Sequence, residues 1–283
     1  MKYYFLLILS AALFASQFLL NQLFQKFKGS TAADSLLFTL YTSLAGFFII
    51  FIINGFRLEF SAFSAVIALI YSVVNLLYNA ASLKSFETVN LSVYSVFSML
   101  GGMLLPSVFG IFYSAEKVTF SKIVCFILIS AAIFLTADRK AKKSKNAYFY
   151  YAAVFILNGS VGVLSVIHQS GASAVDSFSF LMHTRLISFL FSAVIYAAKY
   201  RAFPRITVRP LMCCVAFTAM CSLGNLFVLI ALKHIDASVQ YPIITGGVML
   251  ISLLISLIRR EKVTKKEAFA SIVAFIASVI IAL

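Results

Sequence analysis

Charge of either sign is scarce in this chain, and negative charge is scarcest. Asp, Glu, Lys and Arg make up 11% of the 283 residues, where a soluble domain carries about a quarter. A soluble protein must cover itself with polar groups whatever the size of its core, so this deficit excludes an ordinary aqueous domain. All nine carboxylates (Asp34, Glu59, Glu87, Glu116, Asp138, Asp176, Asp236, Glu261 and Glu267) lie at the ends of apolar runs or between them. Paired intramembrane aspartates are therefore missing. HExxH and a GxSxG context are missing too, and the chain is not expected to be an enzyme. It has no P-loop, which excludes ATP-driven transport by this chain alone. The four cysteines, Cys125, Cys213, Cys214 and Cys221, sit in apolar runs without CxxC spacing. They read as small buried hydrophobes, so no metal site and no cofactor are expected.

What remains is apolar. Hydrophobic residues are 62% of the chain and the mean hydropathy is +1.02. A bilayer is the solvent in which such a composition folds, and spans of about 20 apolar residues are its signature. Ten runs meet that length: about 3–24, 35–54, 60–82, 91–113, 119–137, 148–168, 176–198, 209–232, 238–258 and 266–283. The alternating ten-residue segments of a β-barrel are absent. The first run is too long for a signal-peptide core and lacks a small-x-small cleavage site, so it reads as a retained helix. The expectation is an all-α, multi-pass protein of the plasma membrane. Its partners would be the lipid bilayer and a small-molecule substrate, with monomer and homodimer both open.

The formal net charge of +14 comes from 23 Lys and Arg set between the runs, where they anchor loops to anionic headgroups. No basic stripe with interleaved aromatics accompanies them, so nucleic acid is not an expected partner. Seventeen of the 23 fall in the odd-numbered loops. The positive-inside bias therefore places those loops in the cytoplasm and both termini outside.

The one clearly hydrophilic connection, Asp138 to Asn146, divides a single membrane domain (1–283) into repeat one (1–137), a linker (138–147) and repeat two (148–283). Glu116-Lys117-Val118-Thr119 recurs as Glu261-Lys262-Val263-Thr264, and at the same offset Gly101-Gly102 returns as Gly246-Gly247. Asp34-Ser35 matches Asp176-Ser177, and seven residues on Tyr41-Thr42-Ser43-Leu44 matches His183-Thr184-Arg185-Leu186. Asn75-Leu76 matches Asn225-Leu226. Five spans per half is an odd number, so the copies must run in opposite senses across the membrane. Two inverted five-helix repeats around a central cavity are the plan of many secondary transporters.

From Ala81 to Leu135 and from Ala231 to Leu283 the chain resembles the drug/metabolite transporter superfamily, in particular its EamA-like branch. The resemblance is carried by a helix, a Gly-containing helix, a turn with Glu before a basic residue, and a last apolar helix. The turns are Glu116-Lys117 and Glu261-Lys262, and Pro242 in Gln240-Tyr241-Pro242 sits where the family often has proline. The first copy departs from the pattern, with Phe97 at the equivalent place. The resemblance implies five-plus-five topology with spans five and ten peripheral. It also implies cytoplasmic termini, against the charge count. Members carry amino acids, drugs, nucleotide sugars and sugar phosphates. The small multidrug resistance branch relies on a glutamate in its first helix. Span one here offers only Gln17, Asn21 and Gln22, which argues against exchange of protons for organic cations.

Arg185 is the sharpest single signal. It lies about 13 Å into span seven at 1.5 Å per residue, where a charge is costly and faces a cavity or a partner. It would bind a carboxylate or phosphate, unless it serves freed carbonyls of the fold. His183 and His168 are titratable near neutral pH and would bind substrate, relay protons or simply pack. His183 stands about 200° around the helix from Arg185, so both cannot point into one cavity. Gln17, Asn75, Asn79, Asn158, Gln240, Tyr41, Tyr94 and Tyr241 are intramembrane polar groups that line either a wet cavity or a helix–helix contact. Asn75 and Asn79 share a face. Gly101, Gly102, Gly246 and Gly247 suit close helix packing, and Pro242 should kink its helix near the start. The expected function is a carrier or exporter of small anionic or zwitterionic metabolites such as amino acids. The alternative is a flippase or membrane-embedded accessory subunit handling a lipid-linked substrate, which a laterally open groove would mark.

Overall fold

The computed structural model describes residues 2–113, 119–121, 123–124, 127–128, 131, 146–201, 204–232 and 237–280. Among them are nine helices: α1 (Lys2–Lys28), α2 (Ala32–Ile53), α3 (Ala62–Ser85), α4 (Leu91–Tyr113), α5 (Asn146–Gln169), α6 (Ser177–Tyr200), α7 (Val208–Leu232), α8 (Ala237–Ile258) and α9 (Lys265–Ile280). Nine of the ten expected spans are thus helices. The remaining one, 119–137, and the linker up to residue 145 fall mostly outside the described residues. Seven helices are long and apolar enough to cross a membrane, namely those of α1 to α7. In α8 the apolar stretch is the shorter Ile243–Ile258.

The helices begin where the sequence provides caps. Thr31 caps α2 and forms a capping box with Asp34, while the Asp176 carboxylate accepts from the first free N–H groups of α6. Along the helices the polarity is reversed relative to a soluble protein. Phe5, Phe48, Val194, Met212 and Ile258 are exposed, whereas Thr39, Ser72, Ser95, Ser192, Thr218 and Ser256 are buried. Many of these hydroxyls back-bond one turn up their own helix, such as Thr42 to Phe38 O, Ser72 to Ala68 O and Ser192 to Ser188 O. An apolar exterior around a hydroxyl-rich interior is what a lipid solvent selects. The chain is a multi-pass membrane protein.

The helices of the first half pack chiefly on those of the second. α1 lies against α7 and α8, α2 against α6 and α7, α3 against α5 and α6, and α4 against α5 and α8, with α9 outside against α8 and α4. Two hydrogen bonds across this seam mirror each other: Ser72 Oγ donates to Thr184 O at 3.0 Å, and Thr218 Oγ1 donates to Thr42 O at 3.2 Å. Thr42 and Thr184 are matched residues of the sequence repeat.

The tightest contact joins α4 to α5. A Cβ on Gly101 would stand 2.1 Å from Phe155 O, so only glycine lets the backbones meet, and Gly102 lies against the Asn158 amide. Pro106, inside α4, fills the space left by Gly162. On the other side Gly247 lies against Ala11, where an added Cβ would come to 2.9 Å of the alanine methyl. Gly246 is buried.

The connections meet at opposite ends of the bundle. At one end Arg259 Nη1 donates to Gln22 Oε1 at 2.5 Å, Leu91 N–H to Glu261 Oε2, and Asn90 Nδ2 to Glu267 Oε2. Ser30 and Lys84 both donate to Glu87 there, and these bonds hold its carboxyl below the usual range, the lysine foremost. At the other end Ser61 Oγ donates to Ser173 O, and Glu59 N–H donates to Ser179 Oγ.

Candidate functional site

Between the halves lies a cavity of about 340 Å³ lined from α1 to α8. Helical periodicity decides which side chains reach it. On α3, Tyr71, Asn75, Tyr78 and Asn79 recur at four, three and one residues and share one face. On α1, Phe14, Gln17 and Phe18 do the same. Asn158 comes from α5, Arg185 from α6, Phe217 and Cys221 from α7, and Thr245 from α8. The walls are therefore aromatic rings, primary amides, a few hydroxyls and one cation.

Arg185 dominates the electrostatics. Its Nε is buried with no hydrogen-bond partner, and its guanidinium stands beside the Cys221 thiol. Gly46 makes room for it: a Cβ there would come within 3.1 Å of Arg185 Cδ and Nε and of Thr218 Cγ2. Among the described residues no carboxylate lines the cavity and none pairs with Arg185. A guanidinium in a low-dielectric site without a counter-ion is costly, and the cost is relieved when an anion enters.

The polar wall is held in place from behind. Asn79 Nδ2 donates to Thr39 Oγ1 at 3.0 Å, and Asn158 Nδ2 to Ser98 O at 2.6 Å. Tyr78 OH bonds both Tyr94 OH and Ser98 Oγ at 2.8 Å, Tyr94 OH bonds Ser82 Oγ at 2.7 Å, and Asn21 Nδ2 donates to Ser82 Oγ at 2.6 Å. A chain of hydroxyls thus runs from the cavity wall to Asn21 near the end of α1.

Of the ten residues read from sequence as candidate ligand groups, Arg185, Asn75, Asn79, Gln17 and Asn158 line the cavity. Tyr94 lies one layer back, edge-on to Phe18, and orients Tyr78. Tyr41 and His183 point elsewhere. The Tyr41 hydroxyl donates to Pro204 O in the connection before α7, and the His183 ring meets Phe60 in the connection before α3. His183 stands two residues before the cavity-lining Arg185, which turns it to the opposite side of the helix. His168 is buried as well, hydrogen-bonded to Ser64 Oγ and stacked on Phe180, as a structural histidine. Gln240, Tyr241 and Pro242 fall in the opening turns of α8, whose side chains are outside the described residues.

Tyr71, Tyr78, Phe14, Phe18, Phe217, Ser98 and Thr245 also line the cavity and were not singled out in the sequence, while Cys221 was read there only as a small buried hydrophobe. Extending the Asn75–Asn79 face by one turn would have found both tyrosines. The phenylalanines carry no such signal in a chain with 30 of them.

A second hollow, of about 560 Å³, lies between α2 and α6 and is lined by Leu40, Leu44, Phe189, Ala193 and Ala197, with Tyr41, Pro204 and Arg201 at its rim. No protein-family model matches the chain, and no curated protein matches it.

Proposed function

We propose that this chain is a secondary carrier of small organic anions or zwitterions in the plasma membrane, built as two inverted five-helix repeats of the drug/metabolite transporter kind. The single observation that carries this reading is Arg185, without a carboxylate partner among the described residues, on the wall of an amide- and tyrosine-lined cavity between the halves. The cross-half packing supports the repeat. Exchanging equivalent helices turns the α1–α7 contact into α5–α3, α4–α5 into α8–α1, and α3–α6 into α7–α2, and all six contacts are present. A substrate site at such a seam is exposed to either side when the repeats rock. Carboxylates are absent from the apolar runs, so the reading does not depend on a membrane-buried acid as coupling group.

The groove between α2 and α6 is where a lipid-linked substrate would lie, the feature that a flippase requires. Its lining is nearly all apolar, its tyrosine hydroxyl is already bonded to Pro204 O, and Arg201 is its one charged group among the described residues, so it lacks the ring of polar partners that the central cavity has. The central cavity favours the carrier. Counterflow in proteoliposomes tests the reading: a radiolabelled anion should accumulate against an unlabelled internal pool in wild type and not in Arg185→Ala. Equal counterflow in the two proteins would remove the cavity from the transport path.

A further inference from the structure

The cavity discriminates between two kinds of anion that the carrier reading leaves together, and this inference rests on that reading. We infer that the ligand is a monoanion with an aromatic body and no ammonium group: an aromatic carboxylate, as opposed to an amino acid.

Three observations carry the choice. The first is charge. Among the described residues Arg185 is the one ionic group on the cavity wall, and no carboxylate lines the space. An α-amino acid would bring an ammonium into a site of about 340 Å³ that already holds a guanidinium. Only neutral oxygens would be there to receive it, and a buried ammonium without an anionic partner is penalised by both desolvation and repulsion. The carboxylate alone is matched, because guanidinium and carboxylate fit as a planar fork.

The second is the wall. Phe14, Phe18, Tyr71, Tyr78 and Phe217 place rings from three helices around the space. Aromatic walls reward a flat apolar body through offset and edge-to-face contacts. A sugar phosphate needs a dense set of hydroxyl partners, and the phenylalanines supply none. The third is size. The volume is at the lower end for small-molecule sites, which suits a single ring with a short acid side chain and excludes a nucleotide sugar.

The test uses ligands that differ by one group each: 3-phenylpropionate, L-phenylalanine, which adds only the α-ammonium, and 3-phenylpropanamide, which removes only the charge. Binding to the full-length wild-type protein in detergent is measured by isothermal titration, and by inhibition of counterflow in proteoliposomes. The expected result is that 3-phenylpropionate binds at least about tenfold tighter than either analogue. It should also bind at least about tenfold tighter than acetate, which has the charge without the ring. Phenylalanine binding as well as 3-phenylpropionate, in an Arg185-dependent way, would overturn the inference and leave the carrier reading standing. Binding of the amide as tightly as the acid would overturn both. Arg185→Gln serves as the control variant, and the wild-type ligand series decides the matter even if that variant does not fold.

Discussion

α2 and α6 carry matched segments, Tyr41-Thr42-Ser43-Leu44 and His183-Thr184-Arg185-Leu186, and the structure treats the first two positions alike. Tyr41 and His183 each turn away from the cavity to a connecting loop on the opposite half. Thr42 and Thr184 each give a backbone carbonyl to a hydroxyl from the other half. At the third position the likeness ends. Ser43 Oγ is buried and unpaired, and Arg185 lines the cavity with its Nε unpaired. A site placed at a seam between two similar halves becomes selective where the halves differ, and at this position the difference is a guanidinium.

Making the halves alike at this position should have the largest effect. Arg185→Ser restores the residue of the first half and should abolish anion binding, with the thermal unfolding temperature in detergent held or raised, because a charge without a carboxylate partner has been removed from the membrane interior. Titration calorimetry and a melting curve on the same sample check both parts.

The glycine pairs provide the next comparison. Gly101 meets backbone across the seam and Gly247 meets only a methyl group. Gly101→Ala should cost about 3 kcal/mol of stability, since backbone cannot yield as a side chain does, and Gly247→Ala about 1 kcal/mol. Equal melting-temperature losses would mean that the two seams are equally loose. Gly46→Ala is subtler. Its methyl would crowd Arg185 Cδ and Nε at 3.1 Å, so anion affinity should fall about fivefold with little change in melting temperature. Last come the mirrored hydroxyls. Ser72→Ala and Thr218→Val should each cost about 0.6 kcal/mol, the usual worth of an interhelical hydrogen bond in a membrane protein, and a clear inequality would show that the two crossings carry different loads.

How much of this could be read in the sequence varies by residue. Arg185 was legible because a charge deep in an apolar run has few reasons to exist. Asn75 and Asn79 were legible because one turn of helix puts them on one face. Tyr41 and His183 showed only that they are polar and inside a span. Which way a helix is rotated depends on its neighbours, and that is absent from a single chain of letters. Tyr94 was recognised by type, but nothing local reveals that Tyr78 stands between it and the cavity. The aromatic lining was invisible for a different reason: among so many phenylalanines, those facing lipid and those facing a ligand look the same. Pro106 went unremarked in the sequence, and its fit to Gly162 depends on where α5 lies.

Arg185 should polarise the central cavity positively, and Cys221 on its wall reports on that field directly. In a variant retaining only this cysteine, the rates of mixed-disulfide formation, with methanesulfinate leaving, would be measured in membranes with an anionic and a cationic methanethiosulfonate of similar size. The ratio of anionic to cationic rate should fall at least about fivefold when Arg185→Ala is introduced, because the field that concentrates anions there has been removed. An unchanged ratio, or a Cys221 that neither reagent reaches, would contradict the account.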